Sequence, residues 1–93
     1  MKAEFSGRAL RELSGILAYV GQHNPPAAMR LVARIDDMRS LLARHPFAGK
    51  ATHRQDMRRI VLRDFPYILF FTVGLSRRVQ IISIRHAKRR PLP

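Results

Sequence analysis

Residues 57–73 read MRRIVLRDFPYILFFTV, two strand-length runs rich in β-branched and aromatic residues on either side of Phe65-Pro66. This pattern predicts successive strands, because branched side chains suit the pleated surface and proline cannot donate to a ladder. In the first run, Arg58 to Arg63, alternation sets Arg59, Val61 and Arg63 on one side and Arg58, Ile60 and Leu62 on the other. The second run, Tyr67 to Val73, is apolar on both faces and therefore reads as the central strand. A third run, Val79 to His86, follows Gly74-Leu75-Ser76, whose composition predicts a hairpin turn. The C-terminal half is thus expected to form a three-stranded antiparallel meander.

Upstream, the periodicity is helical. Ala3 to Phe5 reads as a short strand and Ser6 as the cap of the helix that follows. Leu10, Leu13, Ile16, Leu17 and Val20 recur at three- and four-residue spacings, and Gly21 reads as a stop. Asn24-Pro25 is a start signal: the amide oxygen accepts from free backbone N–H groups, and proline lacks the donor that would be orphaned there. Ala28, Leu31, Ile35, Met38 and Leu42 then hold one apolar face to about Arg44, with Pro46 and Gly49 closing the segment. A connection as short as Gln22–Asn24 makes the helices antiparallel neighbours. Packing this hairpin on one face of the sheet buries both stripes, so the expected fold class is α+β.

Charge is distributed unevenly along the 93 residues. From Lys50 onward there are eleven Lys and Arg against two acidic residues, within a net charge of +12. A hydrophobic fraction of 46% argues for a folded globule rather than a disordered polycation. Self-repulsion on this scale opposes compaction and points to a polyanionic or acidic partner. With no cysteine, thiol catalysis, disulfides and cysteine-based zinc sites are excluded. The four histidines show no paired spacing on a helix face, so neither a metal nor another cofactor is expected. The longest apolar run, Ile68 to Val73, is too short to span a bilayer, and no secretory signal is visible, so the expected location is cytoplasmic with no membrane partner. One domain over 1–93, ending in a basic tail at 87–93, is the expected organisation.

Several segments in this order carry a family resemblance: HNPPAAMRLVARI, LLARHPFAGK, MRRIVLRDFPYILFFTV and VQIISIRHAKR. Together they resemble the RelE/ParE superfamily of type II toxin–antitoxin toxins over nearly the whole chain. The resemblance implies a small bacterial toxin neutralised by a cognate acidic antitoxin, whose C-terminal region wraps the toxin. It leaves two targets open. RelE-like members are ribosome-dependent endoribonucleases that cleave mRNA; ParE-like members inhibit DNA gyrase. The Asn-Pro-x-Ala-Ala start of the second helix and the Phe-Pro-Tyr start of the middle strand look closer to the ParE-like branch.

Metal-free RNA cleavage needs a base for the 2′-hydroxyl, cations for the phosphoryl charge and an acid for the leaving oxygen. The cations on offer are Lys50, Arg54, Arg59, Arg63 and Arg85, and the proton carriers His53 and His86. In the nuclease reading, Arg59, Arg85 and His86 form the catalytic set. Two departures weigh against it. Tyr67 stands where ribonuclease members commonly carry arginine, and in residues 51–56, just after the Pro-x-x-Gly-Lys bend where some members carry a glutamate base, Asp56 is the only carboxylate. By strict alternation His86 shares a face with Ile82 and Ile84, and Arg85 shares the other with Val79, Ile81 and Ser83, unless the strand bulges.

His45 reads as a helix-end residue and His23 as a turn residue. On the second helix, Arg30, Arg34 and Arg39 are mixed with Asp36 and Asp37, which is no dedicated nucleic-acid stripe. Tyr19, Phe47 and Met57 are expected at the surface as apolar landing points for an antitoxin. The expected contacts with target or antitoxin are Arg59, Arg63, Tyr67, Arg85, Lys88, Arg89 and Arg90. The leading expectation is a gyrase inhibitor. The rivals are an mRNA endoribonuclease acting with the ribosome and a degenerate, non-toxic module that only binds antitoxin.

Overall fold

The computed structural model describes residues 2–88. The chain runs β1 (Ala3–Phe5), α1 (Gly7–His23), α2 (Pro25–Arg44), β2 (Lys50–Ala51), β3 (Met57–Val61), β4 (Tyr67–Val73) and β5 (Val79–His86). Both helix starts follow the capping chemistry. Ser6 Oγ accepts from Ala9 N at 3.0 Å, and Asn24 Oδ1 accepts from Ala27 N at 3.1 Å. Asn24 also ends α1, its N–H donating to the Val20 carbonyl at 2.8 Å, so one residue makes the whole interhelix connection. Gly21 does not stop α1. It lies where the helices approach, and a Cβ there would meet the Ala28 Cβ at 3.9 Å.

The predicted meander is present, with β4 central, and the sheet is wider than three strands. Its order is β1-β5-β4-β3-β2. β1 adds to β5 in parallel, Ala3 opposite Val79, and the two-residue β2 adds to β3 with Lys50 opposite Arg59. β3 ends at Val61, before the turn that carries Arg63 and Asp64; Asp64 is held at φ 73°.

The helices cover one face of the sheet. Leu31, Ile35 and Leu42 of α2 and Ala9 of α1 are buried in one cluster with Leu62, Leu69, Phe71, Val79, Ile81 and Ile84. A second, smaller apolar cluster occupies the opposite face: Met57 and Phe70 are buried there, with Ile68 and Ile82 against them. Burial of Met57 overturns the expectation that it is exposed. It is the first residue of β3, and the Thr52–Asp56 loop folds back on that strand through Thr52 N–H and Oγ1, which donate to the Met57 carbonyl at 3.1 and 2.9 Å.

Candidate functional site

The cations that form ion pairs among the described residues all lie on the helices. Among the described residues, Arg8, Arg34 and Arg39 of the helices pair with Glu12, with Asp37 and Asp64, and with Asp36 respectively. The mixed charge predicted for α2 is therefore compensated at Arg34 and Arg39, while Arg30 forms no ion pair among the described residues. Lys50, Arg59, Arg63 and Arg85 form no ion pair among the described residues. Lys50 and Arg59 are cross-strand partners, so two like charges project side by side from the face away from the helices. On β4, Phe70 lies opposite Arg59 and Ile68 opposite Arg85, which puts both arginines on that same open face, two strands apart. Arg85 Nε is buried and has no acceptor among the described residues. The result is a basic rim around the small apolar patch of Phe70, Ile68 and Ile82.

A β-bulge decides which residues reach that rim. Phe70 pairs with Ser83 but Phe71 pairs with Ile81, leaving Ile82 without a partner on β4. One extra residue reverses the parity of everything after it. Val79 and Ile81 face the helices before the bulge; Ile84 and His86 face them after it, and Arg85 turns to the open face. Strict alternation had grouped Arg85 with Val79 and Ile81, and that grouping is corrected here. The bulge is held from the helical layer. Ser83 Oγ and Ile84 N–H both donate to Glu12 Oε1, at 2.8 and 3.0 Å, and Ser6 Oγ donates to the Ile82 carbonyl at 3.2 Å.

His86 thus lies on the other side of the sheet from Arg59. Its ring stands edge-on to Tyr67, centroids 5.6 Å apart, and Nδ1 accepts from Lys88 N–H at 3.1 Å. Tyr67, an expected contact with target or antitoxin, packs against the main core, so it too is absent from the open face. Tyr67 and His86 instead line a groove beside α1, of about 620 Å³, with Arg11, Glu12, Ile16 and the exposed Tyr19, and Arg85 borders the same groove at the end of β5. Arg63 is exposed in the β3–β4 turn and Lys88 just past β5, while Arg89 and Arg90 lie outside the described residues.

Known proteins share this sequence and this architecture. Residues 3–91 match the family described as ParE toxin of type II toxin-antitoxin system, parDE. The chain belongs to the ParE toxin family. The toxin is 41% identical over 80 residues to the protein Y4kP of Sinorhizobium fredii, covering 86% of this chain and 81% of that protein. It is 37% identical over 84 residues to Toxin RelE2 of Caulobacter vibrioides, covering 88% and 90%. Its fold superposes on a chain of the chromosomal ParDE system from P. aeruginosa with a TM-score of 0.81 at 21% identity, covering 95% of this chain and 97% of that one. The E. coli RelBE toxin–antitoxin complex gives a TM-score of 0.62 at 23% identity, covering 95% and 98%. At these identities the structural likenesses establish the shared fold.

Two parts of the toxin escaped sequence reading. Glu12 has no local signature in the sequence, yet its carboxylate accepts from both Ser83 Oγ and Ile84 N–H at the bulge. Arg58 was grouped with the helix-facing residues of β3. Its Nη2 in fact donates to the carbonyls of Phe47 and Gly49, at 2.8 and 3.2 Å, and pins the 45–49 bend to the sheet. The signal for that bend was Gly49. At φ 83° a Cβ would sit 2.3 Å from the Arg59 carbonyl oxygen, so only glycine fits.

Proposed function

We propose that the toxin inhibits DNA gyrase in the manner of the ParE branch, acts in the cytoplasm, and is neutralised by an acidic antitoxin. The observation that carries this choice is the bulge register. Cleavage by 2′-hydroxyl attack requires proton carriers and cations around one phosphate. Here the proton carrier of the nuclease reading, His86, is separated by the thickness of the sheet from Arg59 and shares its groove only with Arg85 of the two arginines. Its Nδ1 is engaged by a backbone N–H. Tyr67, at the position where ribonuclease members carry arginine, is turned to the helices as well. The geometry favours a binding surface over a nuclease centre.

The basic rim supports an acidic protein partner. Guanidinium groups make paired hydrogen bonds to carboxylates, and Arg59 and Arg85 offer such forks at the border of an apolar patch. An antitoxin segment carrying acidic and apolar side chains would satisfy both, with Lys50, Arg63 and Lys88 extending the field and Arg89 and Arg90 continuing it in sequence. The test is a supercoiling assay with purified gyrase, relaxed plasmid and toxin. The expected result is blocked supercoiling or trapped cleaved DNA, reversed by the antitoxin. Intact gyrase activity together with discrete mRNA cuts in a translating extract would overturn the reading in favour of the ribosome.

A further inference from the structure

One end of the molecule projects two loops that touch each other. The α2–β2 bend presents Phe47, 58% exposed, and the β4–β5 turn presents Leu75 without cover, at 108% of its reference area. The Phe47 ring joins them: the Arg58 guanidinium carbon lies 5.9 Å from its centroid and that of Arg77 lies 6.0 Å away. The turn is closed by Arg77 N–H to the Gly74 carbonyl at 3.0 Å and Gly74 N–H to the Arg78 carbonyl at 2.8 Å. Lys2 adds another cation, its carbonyl accepting from Val79 N–H at 2.9 Å beside Arg78. None of Lys2, Arg58, Arg77 and Arg78 forms an ion pair among the described residues, and Asp56 in the neighbouring loop pairs with none of them.

Arg77 is held at φ 63°, the left-handed region, at the loop position where such three-residue turns take glycine. A residue kept there against its conformational preference points to use of its side chain. Exposed aromatic and arginine side chains on a raised tip have the composition of an interface core rather than of a solvated loop, and the bare Leu75 adds apolar area beside them. Phosphate contacts alone would have no use for the bare Leu75. The shape decides further. An extended wrapping peptide fits grooves and flat sheet faces, whereas a convex knob fits a hollow in a folded partner.

We infer that this tip is the surface by which the toxin holds its target, seated in an apolar socket with a carboxylate rim on a folded protein. The inference rests on the gyrase reading and adds where that enzyme is gripped, on a surface separate from the open sheet face assigned to the antitoxin. The experiment compares wild type, Leu75→Ser, Arg77→Gly and Arg78→Glu in the purified gyrase supercoiling assay, each checked for folding by circular dichroism and thermal unfolding. Antitoxin affinity is measured in parallel. Leu75→Ser and Arg78→Glu should each raise the inhibitory concentration about tenfold or more, as truncation of interface anchors does. Arg77→Gly, which suits the turn, should weaken inhibition while unfolding at or above the wild-type temperature. Antitoxin binding should stay within about threefold in all of them.

Folded variants that inhibit as well as wild type overturn the tip and leave the gyrase reading standing. A wild-type toxin without effect on gyrase overturns both. Loss of inhibition that tracks an equal loss of affinity for a DNA duplex alone overturns the protein socket in favour of a nucleic-acid contact.

Discussion

Replacing Glu12 with alanine tests whether the bulge in β5 is held from α1. The wild-type carboxylate is 27% exposed and accepts from two donors, Ser83 Oγ at 2.8 Å and Ile84 N–H at 3.0 Å. Both donors are shut from solvent, Ser83 at 0% and Ile84 at 2% exposure. An orphaned buried donor costs about 1–3 kcal/mol. The serine hydroxyl can rotate toward another acceptor but the amide cannot, so the pair should lose about 3 kcal/mol together. For a domain of this size that lowers the midpoint by roughly 12–24 °C.

Glu12→Gln keeps a carbonyl oxygen in place and loses the charge assistance, so it should cost only about 1 kcal/mol. The Arg8–Glu12 contact at 3.4 Å is surface-exposed and adds little to either figure. Thermal unfolding by circular dichroism reads the difference, and hydrogen exchange at the Ile84 amide reads its cause. In Glu12→Ala that amide should lose its protection, while the Leu69 and Phe71 amides of the central strand keep theirs until global unfolding. A midpoint within about 4 °C of wild type, or an Ile84 amide as protected as before, would refute the assignment.

The bend at Gly49 should be the least substitutable point of the chain: Gly49→Ala meets the Arg59 carbonyl at 2.3 Å and should destabilise by at least about 2 kcal/mol, lowering the unfolding midpoint accordingly. Gly15→Ala is its counterpart, with nothing within 4 Å of the added methyl, and should raise stability by about 0.5–1 kcal/mol in the same assay. Arg59→Ala should leave stability within about 0.5 kcal/mol, because the side chain is exposed and faces Lys50, yet should relieve growth arrest on induction without antitoxin; unchanged plating counts would count against its role. Antitoxin affinity of the same variant should become less sensitive to salt than that of wild type, since one contributor to the screened attraction has gone.

Local chemistry was legible in the sequence, and the pairing across the chain was not. Ser6 and Asn24 as caps, the end of α2 at Arg44, and the limits of β4 and β5 all follow from side chains acting on their own backbone. The parallel pairing of Ala3–Phe5 with β5 joins residues more than seventy positions apart, and nothing in three residues announces it. Gly21 misled because a glycine that ends a helix and one that lets a second helix approach look alike in sequence. The bulge was the costliest omission. A single unpaired residue, Ile82, reversed the facing of Arg85 and His86, and with it the membership of the candidate site. Glu12, the residue responsible, sits seventy-two positions from Ile84 and carries no local mark of its role.

The same bulge explains how so positive a chain forms two different surfaces on one sheet. Three of its helical cations, Arg8, Arg34 and Arg39, meet Glu12, Asp37, Asp64 and Asp36, so the layer that covers the core is partly compensated. The sheet cations have no such balance, and Lys50 beside Arg59 is repulsive as it stands. A fold that tolerates this arrangement loses stability for it in isolation and regains it when carboxylates arrive. The gain is available to a partner whose acidic groups match the open face. Turning Arg85 outward strengthens that face, and turning His86 inward removes from it the proton carrier of the proposed catalytic set. Both effects come from one inserted residue, which ties the identity of the partner surface to the carboxylate of Glu12.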